Sequence, residues 1–183
     1  MFWKYPKGTL EVITGPMFAG KSAELIKRLT IWKIAKVEVM VFKPSFDQRF
    51  DQYKIVSRTG SNINAIVIKN SSEILPLITK DVKAVAFDEI HFFDQGVIQV
   101  IEKLLELDIR VIVSGLDTDY LGQPFEIVAD LLARADTVNK LKAVCMKCLG
   151  EANMTYRKVA STERHLLGDD EYEARCRTCH AIK

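Results

Sequence analysis

Leu10-Glu11-Val12-Ile13-Thr14-Gly15-Pro16-Met17-Phe18-Ala19-Gly20-Lys21-Ser22 runs from a short, mostly apolar segment through a glycine-bounded loop into a helical pattern. Leu25, Leu29 and Trp32 recur on one face of the expected helix, Lys21 to Lys36. The loop has the spacing Gly, four residues, Gly-Lys-Ser, and it sits between a strand and a helix, the context its mechanics require. There its backbone N–H groups ring an oligophosphate, and the helix N-terminus adds a favourable dipole. Lys21 would neutralise the β- and γ-phosphates of ATP, and Ser22 would ligate Mg²⁺. The plain alternative is a glycine turn that binds nothing.

Outward from this unit, further short β-branched runs are Val37 to Phe42, Ala65 to Ile68, Ala84 to Phe87 and Ile109 to Val113. Strands buried on both faces read this way. Gly96 to Leu107 supplies a second amphipathic helix through Val97, Ile101, Leu104 and Leu105. Strand and helix alternation predicts an α/β, P-loop-type fold with a mostly parallel sheet and helices on both faces. Residues 43–62 have no clear periodicity and make a connection longer than a compact domain keeps without a use. The α/β pattern stops near Val144, which predicts a kinase-type nucleotide-binding domain over residues 1–142 and a small zinc-binding domain over residues 143–183.

Ala84-Val85-Ala86-Phe87-Asp88-Glu89 is an apolar run ending in two carboxylates, and sites in open α/β sheets lie at the carboxyl ends of strands. Asp88 would hold Mg²⁺ and leave Glu89 free as a base. The alternative is a solvated strand end followed by a cap. Phosphoryl transfer asks for positioning, charge neutralisation and a proton acceptor, all of which this set provides.

All four cysteines fall in Cys145-x-x-Cys148 and Cys176-x-x-Cys179, each with the spacing of a zinc knuckle. Four thiolates leave Zn²⁺ no open position, so the site is expected to be structural. His180 adjoins Cys179 as an alternative ligand, and a redox role for one pair is a further alternative. Leu149 to Arg175, between the knuckles, exceeds the usual spacing of roughly 15 to 20 residues and predicts a projecting arm.

The 26 basic and 24 acidic residues nearly cancel, which argues against nucleic acid as the default partner. No run approaches the roughly 18 apolar residues of a membrane span, and no signal-peptide core is present. A cytoplasmic protein is expected, where cysteines serve metals rather than disulfides.

The assembled pieces resemble the type II thymidine kinases, a P-loop family that phosphorylates deoxythymidine at its 5′-hydroxyl with ATP. The likeness covers nearly the whole chain. It rests on Ile13 to Ser22, Asp47-Gln48-Arg49, Phe87-Asp88-Glu89-Ile90-His91-Phe92-Phe93, Gly115-Leu116-Asp117, Pro124-Phe125 and Ala143-Val144-Cys145-x-x-Cys148. The resemblance implies Glu89 as general base, with Lys21 and Arg49 as catalytic cations. It implies an ATP·Mg²⁺ site of Gly15, Pro16, Met17, Phe18, Ala19, Gly20, Lys21, Ser22, Asp47, Asp88, Glu89, Ile90 and His91. Met17, Phe92, Leu116 and Tyr120 match positions around thymine, and Leu166, Leu167, Gly168 and Tyr172 match the arm that covers it. A structural Zn²⁺ on the four cysteines and a homotetramer are implied as well. The family usually has glutamine where this chain has His91, so a hydrogen bond from that position becomes open to titration. Rival readings are another deoxynucleoside or nucleotide kinase, a zinc-ribbon P-loop ATPase that binds nucleic acid, and a noncatalytic binding protein on the same fold.

Overall fold

The computed structural model describes residues 8–46, 53–58, 60–161, 163, 166 and 168–181. Its centre is a six-stranded sheet built from β1 (Leu10–Thr14), β2 (Val39–Pro44), β5 (Ile66–Ile68), β6 (Ala84–Phe87), β7 (Arg110–Gly115) and β8 (Thr137–Lys140), in the order β5-β2-β6-β7-β1-β8. Every pairing in this sheet is parallel. Parallel strands need both faces covered, and the sequence meets that need with side chains that alternate between two cores. Val12, Val85, Phe87, Val111 and Val113 join one cluster, whereas Ile13, Ala86 and Ile112 join the other.

Helix α1 (Lys21–Ile34) covers the second cluster with Leu25, Ile26 and Leu29. The first is covered by α2 (Val97–Glu106) and α3 (Glu126–Arg134), through Ile98, Ile101, Leu104, Val128 and Leu131. Helix α1 ends two residues, and α2 one residue, earlier than the apolar pattern suggests, because Lys36 and Asp108 turn into left-handed backbone at φ 57° and 59° and stop the ladder. Such a stop leaves no mark in the periodicity.

Among the α-helices and strands up to β8, four escape the sequence pattern. Helix α3 and strand β8 follow one another within residues 126–140, and β8 is a sheet edge with little apolar content. Within the connection over residues 43–62, β3 (Lys54–Val56) and β4 (Asn62–Asn64) form an antiparallel hairpin. Strands of three residues are too short to display a period.

Beyond β8 the chain forms two small antiparallel pairs, β9 (Ala143–Val144) with β10 (Glu151–Ala152) and β11 (Met154–Arg157) with β12 (Tyr172–Arg175). The short helix α4 (Arg177–Ala181) follows. Cys145, Ala152 and Ala174 form a small core here, and Phe18 of the glycine loop packs against it. Among the described residues no helix is long and apolar enough to cross a membrane.

Candidate active site

The loop after β1 has its shape from two glycines. Gly15 lies at φ 135°, and a β-carbon there would meet the Leu141 carbonyl oxygen at 2.3 Å. Only glycine passes this point. Gly20 lies at φ 82° as the N-cap of α1, and nothing stands within 4 Å of where its β-carbon would project. The helix N-terminus therefore opens onto free space, as an anion site requires. Lys21, 9% exposed, folds back so that its Nζ donates to the Pro16 carbonyl at 2.8 Å. The Met17 N–H donates to Thr155 Oγ1 at 3.0 Å, which ties the loop to β11.

Strand β6 delivers the carboxylates. Asp88 keeps extended pairing, its N–H donating to the Phe42 carbonyl, and Ser114 Oγ on β7 donates to its Oδ1 at 2.6 Å. Glu89 then switches to left-handed backbone, φ 50° and ψ 44°, and starts the 3₁₀ turn Ile90–Phe92. A non-glycine residue held there stores strain of order 1–3 kcal/mol, which active sites use to aim a side chain. His91 is 6% exposed; its Nδ1 accepts from the Leu116 N–H at 3.2 Å and lies 3.6 Å from Glu89 Oε2. With Nδ1 accepting, the neutral ring carries its proton on Nε2.

These parts border one cavity of about 310 Å³. Met17, Phe18, Gly20, Lys21, Ser22, Asp88, Glu89 and His91 line one side. Phe92, Leu116, Tyr120, Leu166, Gly168 and Tyr172 line it as well. Gly15, Pro16, Ala19 and Ile90 are not among its lining residues, and the Ile90 side chain is fully buried in the larger core. Asp47, Arg49 and Leu167 lie outside the described residues.

Eleven lining residues were not named as site residues from the sequence, and Lys43, Ser57, Arg58 and Thr155 are four of them. Lys43 ends the apolar run of β2, the same signature that marks Asp88, and its Nζ donates to the Lys54 carbonyl at 3.3 Å. Arg58, in the hairpin connection, lies 4.2 Å from the centre of the Phe18 ring and 2.8 Å from Asp169 Oδ1. It thereby joins the glycine loop to the arm. Nothing in a lone Arg between Ser57 and Thr59 signals that contact.

The four cysteine sulphurs lie within 4.8 Å of one another, with Cys148 and Cys176 at 3.8 Å. A tetrahedron of sulphurs at about 2.3 Å from a central Zn²⁺ has edges of about 3.8 Å, so the donor set fits that ion. Burial resists ionisation of Cys145, but hydrogen bonds from the backbone of Cys148, Cys176 and Lys147 outweigh it and bring the thiol down to about 6. Cys179 is pushed up to about 12, chiefly by hydrogen bonding to Cys176 and then by burial. One negative charge in this cluster opposes the next, and a divalent cation relieves that conflict. His180 is directed elsewhere: its Nε2 faces the carbonyl oxygens of Tyr120 at 2.9 Å and Thr155 at 3.2 Å, which makes it the donor to both. The alternative in which His180 replaces a cysteine ligand is thus not what the fold builds.

Comparison with known proteins agrees with this architecture. The family profile described as thymidine kinase matches residues 8–180. A protein named thymidine kinase from Mycoplasma mobile is 49% identical over 181 residues, covering 98% of this chain and 90% of its own length. Those of the same name from Mesomycoplasma hyopneumoniae (strain 7448) and Metamycoplasma arthritidis are 48% and 46% identical. The first pairing covers 100% of both chains, the second 98% of this chain and 94% of the relative. The chain belongs to the thymidine kinase family.

Proposed function

We propose that the chain transfers the γ-phosphoryl group of ATP to the 5′-hydroxyl of deoxythymidine, with Glu89 as the base. Membership of the family makes it an enzyme, a kinase acting on thymidine, and ATP use follows from the same membership. One observation carries the residue assignments: the glycine loop, the two carboxylates of β6 and the arm residues Leu166, Gly168 and Tyr172 border one cavity.

In this reading the nucleoside oxygen forms a bond to the γ-phosphorus as the bond to the β,γ-bridging oxygen breaks, ADP leaves, and the hydroxyl proton passes to Glu89. Lys21 would move from Pro16 to the β- and γ-phosphates, and Ser22 and Asp88 would hold Mg²⁺, with Ser114 fixing the Asp88 rotamer. The ion, when bound, would supply charge neutralisation for the transferred group. Asp47 and Arg49 are assigned to the flank of the reaction centre, Arg49 to stabilise charge on the transferred group. Met17, Phe92, Leu116 and Tyr120 surround the base. Residues 1–142 form the nucleotide-binding domain. Residues 143–183 form the arm-bearing domain, stapled by Zn²⁺ on the four cysteines. A cytoplasmic homotetramer is the assembly proposed.

The test is phosphorylation of thymidine, deoxyuridine, deoxycytidine and thymidylate with radiolabelled ATP, alongside ATP hydrolysis with and without DNA. Turnover of thymidine to its 5′-monophosphate is expected. No turnover of thymidine, or hydrolysis stimulated by DNA, overturns the reading. The near balance of 26 basic and 24 acidic residues favours the first outcome.

A further inference from the structure

Arg157, in β11 of the cysteine-bearing segment, is 7% exposed and does not line the cavity, yet two residues of the cavity wall, Tyr120 and Tyr172, meet at its guanidinium and a third, Leu166, is joined to it through Tyr172. Its NH2 donates to the Tyr172 hydroxyl at 2.8 Å, and that hydroxyl in turn donates to the Leu166 carbonyl at 2.8 Å. NH1 donates to the Ser161 carbonyl at 3.1 Å. The guanidinium carbon, Cζ, lies over the Tyr120 ring, 3.6 Å from its centre. Tyr120 belongs to the loop after β7, Tyr172 begins β12, and Ser161 and Leu166 lie in the arm.

From this arrangement we infer that Arg157 is the positioning residue of the nucleoside side of the site, fixing Tyr172, and through it Leu166, at the cavity wall. The inference rests on the proposed thymidine site. A guanidinium is always charged and presents donors in a fixed fork, so Tyr172 must accept from it and has its own proton free for Leu166. Donor and acceptor roles along this chain are thereby fixed, and each bond polarises the next. Lysine cannot reproduce it: one ammonium does not stack flat on Tyr120 while reaching Tyr172 and Ser161. Arg157 touches no reacting atom, so its effect belongs in nucleoside affinity rather than in the chemical step.

The experiment compares the full-length holoprotein with Arg157→Lys, Tyr172→Phe and the double variant, measuring KM for thymidine, KM for ATP, kcat and zinc content. Both single variants are expected to raise the thymidine KM about 5- to 100-fold, as for a buried hydrogen-bonded group left unmatched. In both, kcat and the ATP KM stay within about threefold, the signature of lost binding rather than lost chemistry. The double variant is expected to fall well short of the product of the two single effects, because both cut one chain. If Arg157→Lys does not fold, Tyr172→Phe, which removes only a hydroxyl, decides alone. Thymidine KM values within about twofold of the parent overturn the inference. A parallel loss of kcat or ATP affinity overturns it too, assigning Arg157 to general stability. A parent that does not phosphorylate thymidine fails the functional reading and this inference with it; a working parent with unaltered variants fails this inference alone.

Discussion

Asp88 and Glu89 are neighbours in sequence, but only Glu89 turns into left-handed backbone, and that single change of direction separates the tasks proposed for them. Asp88 directly follows β6, its N–H still bonded to the Phe42 carbonyl and its carboxylate fixed by Ser114, whereas Glu89, at φ 50°, is turned out of line towards His91. Glu89→Gln preserves size and hydrogen bonding but cannot take a proton. It is expected to lower kcat by roughly 10²-fold or more while ATP binding is retained, checked by steady-state kinetics beside nucleotide titration. Full activity in that variant removes Glu89 from the role of base. The carboxylate pair was legible because two acids closing an apolar run stand out. Lys43 closes β2 in the same manner and went unread, since a single lysine after an apolar run is also the commonest way for a strand to reach solvent. His91 stood out in the sequence as the replacement for the family's usual glutamine, and a buried structural histidine is the plain alternative there. Its contacts join both descriptions: the ring is buried, and Nδ1 accepts from Leu116 while standing beside Glu89.

At the scale of elements, the hairpin β3–β4 and the arm illustrate what a sequence hides. Three-residue strands and an arm held by backbone carbonyls carry no periodic signal, so their placement comes from long-range contacts alone. Arg58 makes that placement concrete, since it lies over Phe18 in the glycine loop and pairs with Asp169 in the arm. Arg58 is half exposed, which keeps its contribution modest. Reversing the pair, Arg58→Asp with Asp169→Arg, tests whether charge or shape matters. Each single variant is expected to weaken thymidine binding by about 0.2–1 kcal/mol, up to roughly fivefold in KM, and the reversed double variant to recover most of it. High salt should shrink the difference, because an exposed pair is screened. Additive losses in the double variant would place the effect in the Arg58–Phe18 contact instead.

Across the whole molecule, the parallel sheet was legible because strands buried on both faces are written as apolar runs, and β6 is buried at every position. Strand order was not, because it depends on which non-local pairings close the two cores. The same division holds for the cysteines: their spacing announces a metal site, but not what that site supports. Phe18 packs against the core around Cys145, and the Met17 N–H is held by Thr155 of β11, so the glycine loop leans on the cysteine-bearing segment at two points. Loss of zinc should therefore disturb nucleotide as well as nucleoside binding. Protein prepared without chelator is expected to carry about one zinc per chain. Stripping it, or replacing Cys148 with Ser, is expected to lower the melting temperature by more than about 5 °C, since a ligand bound to the folded state alone stabilises by several kcal/mol. The KM values for ATP and thymidine should rise together, unlike the Arg157 variants, in which thymidine alone is affected. Less than about half a zinc per chain in fully active protein would remove the metal from the structure's support. A rise confined to the thymidine KM would show that the phosphate loop stands without it.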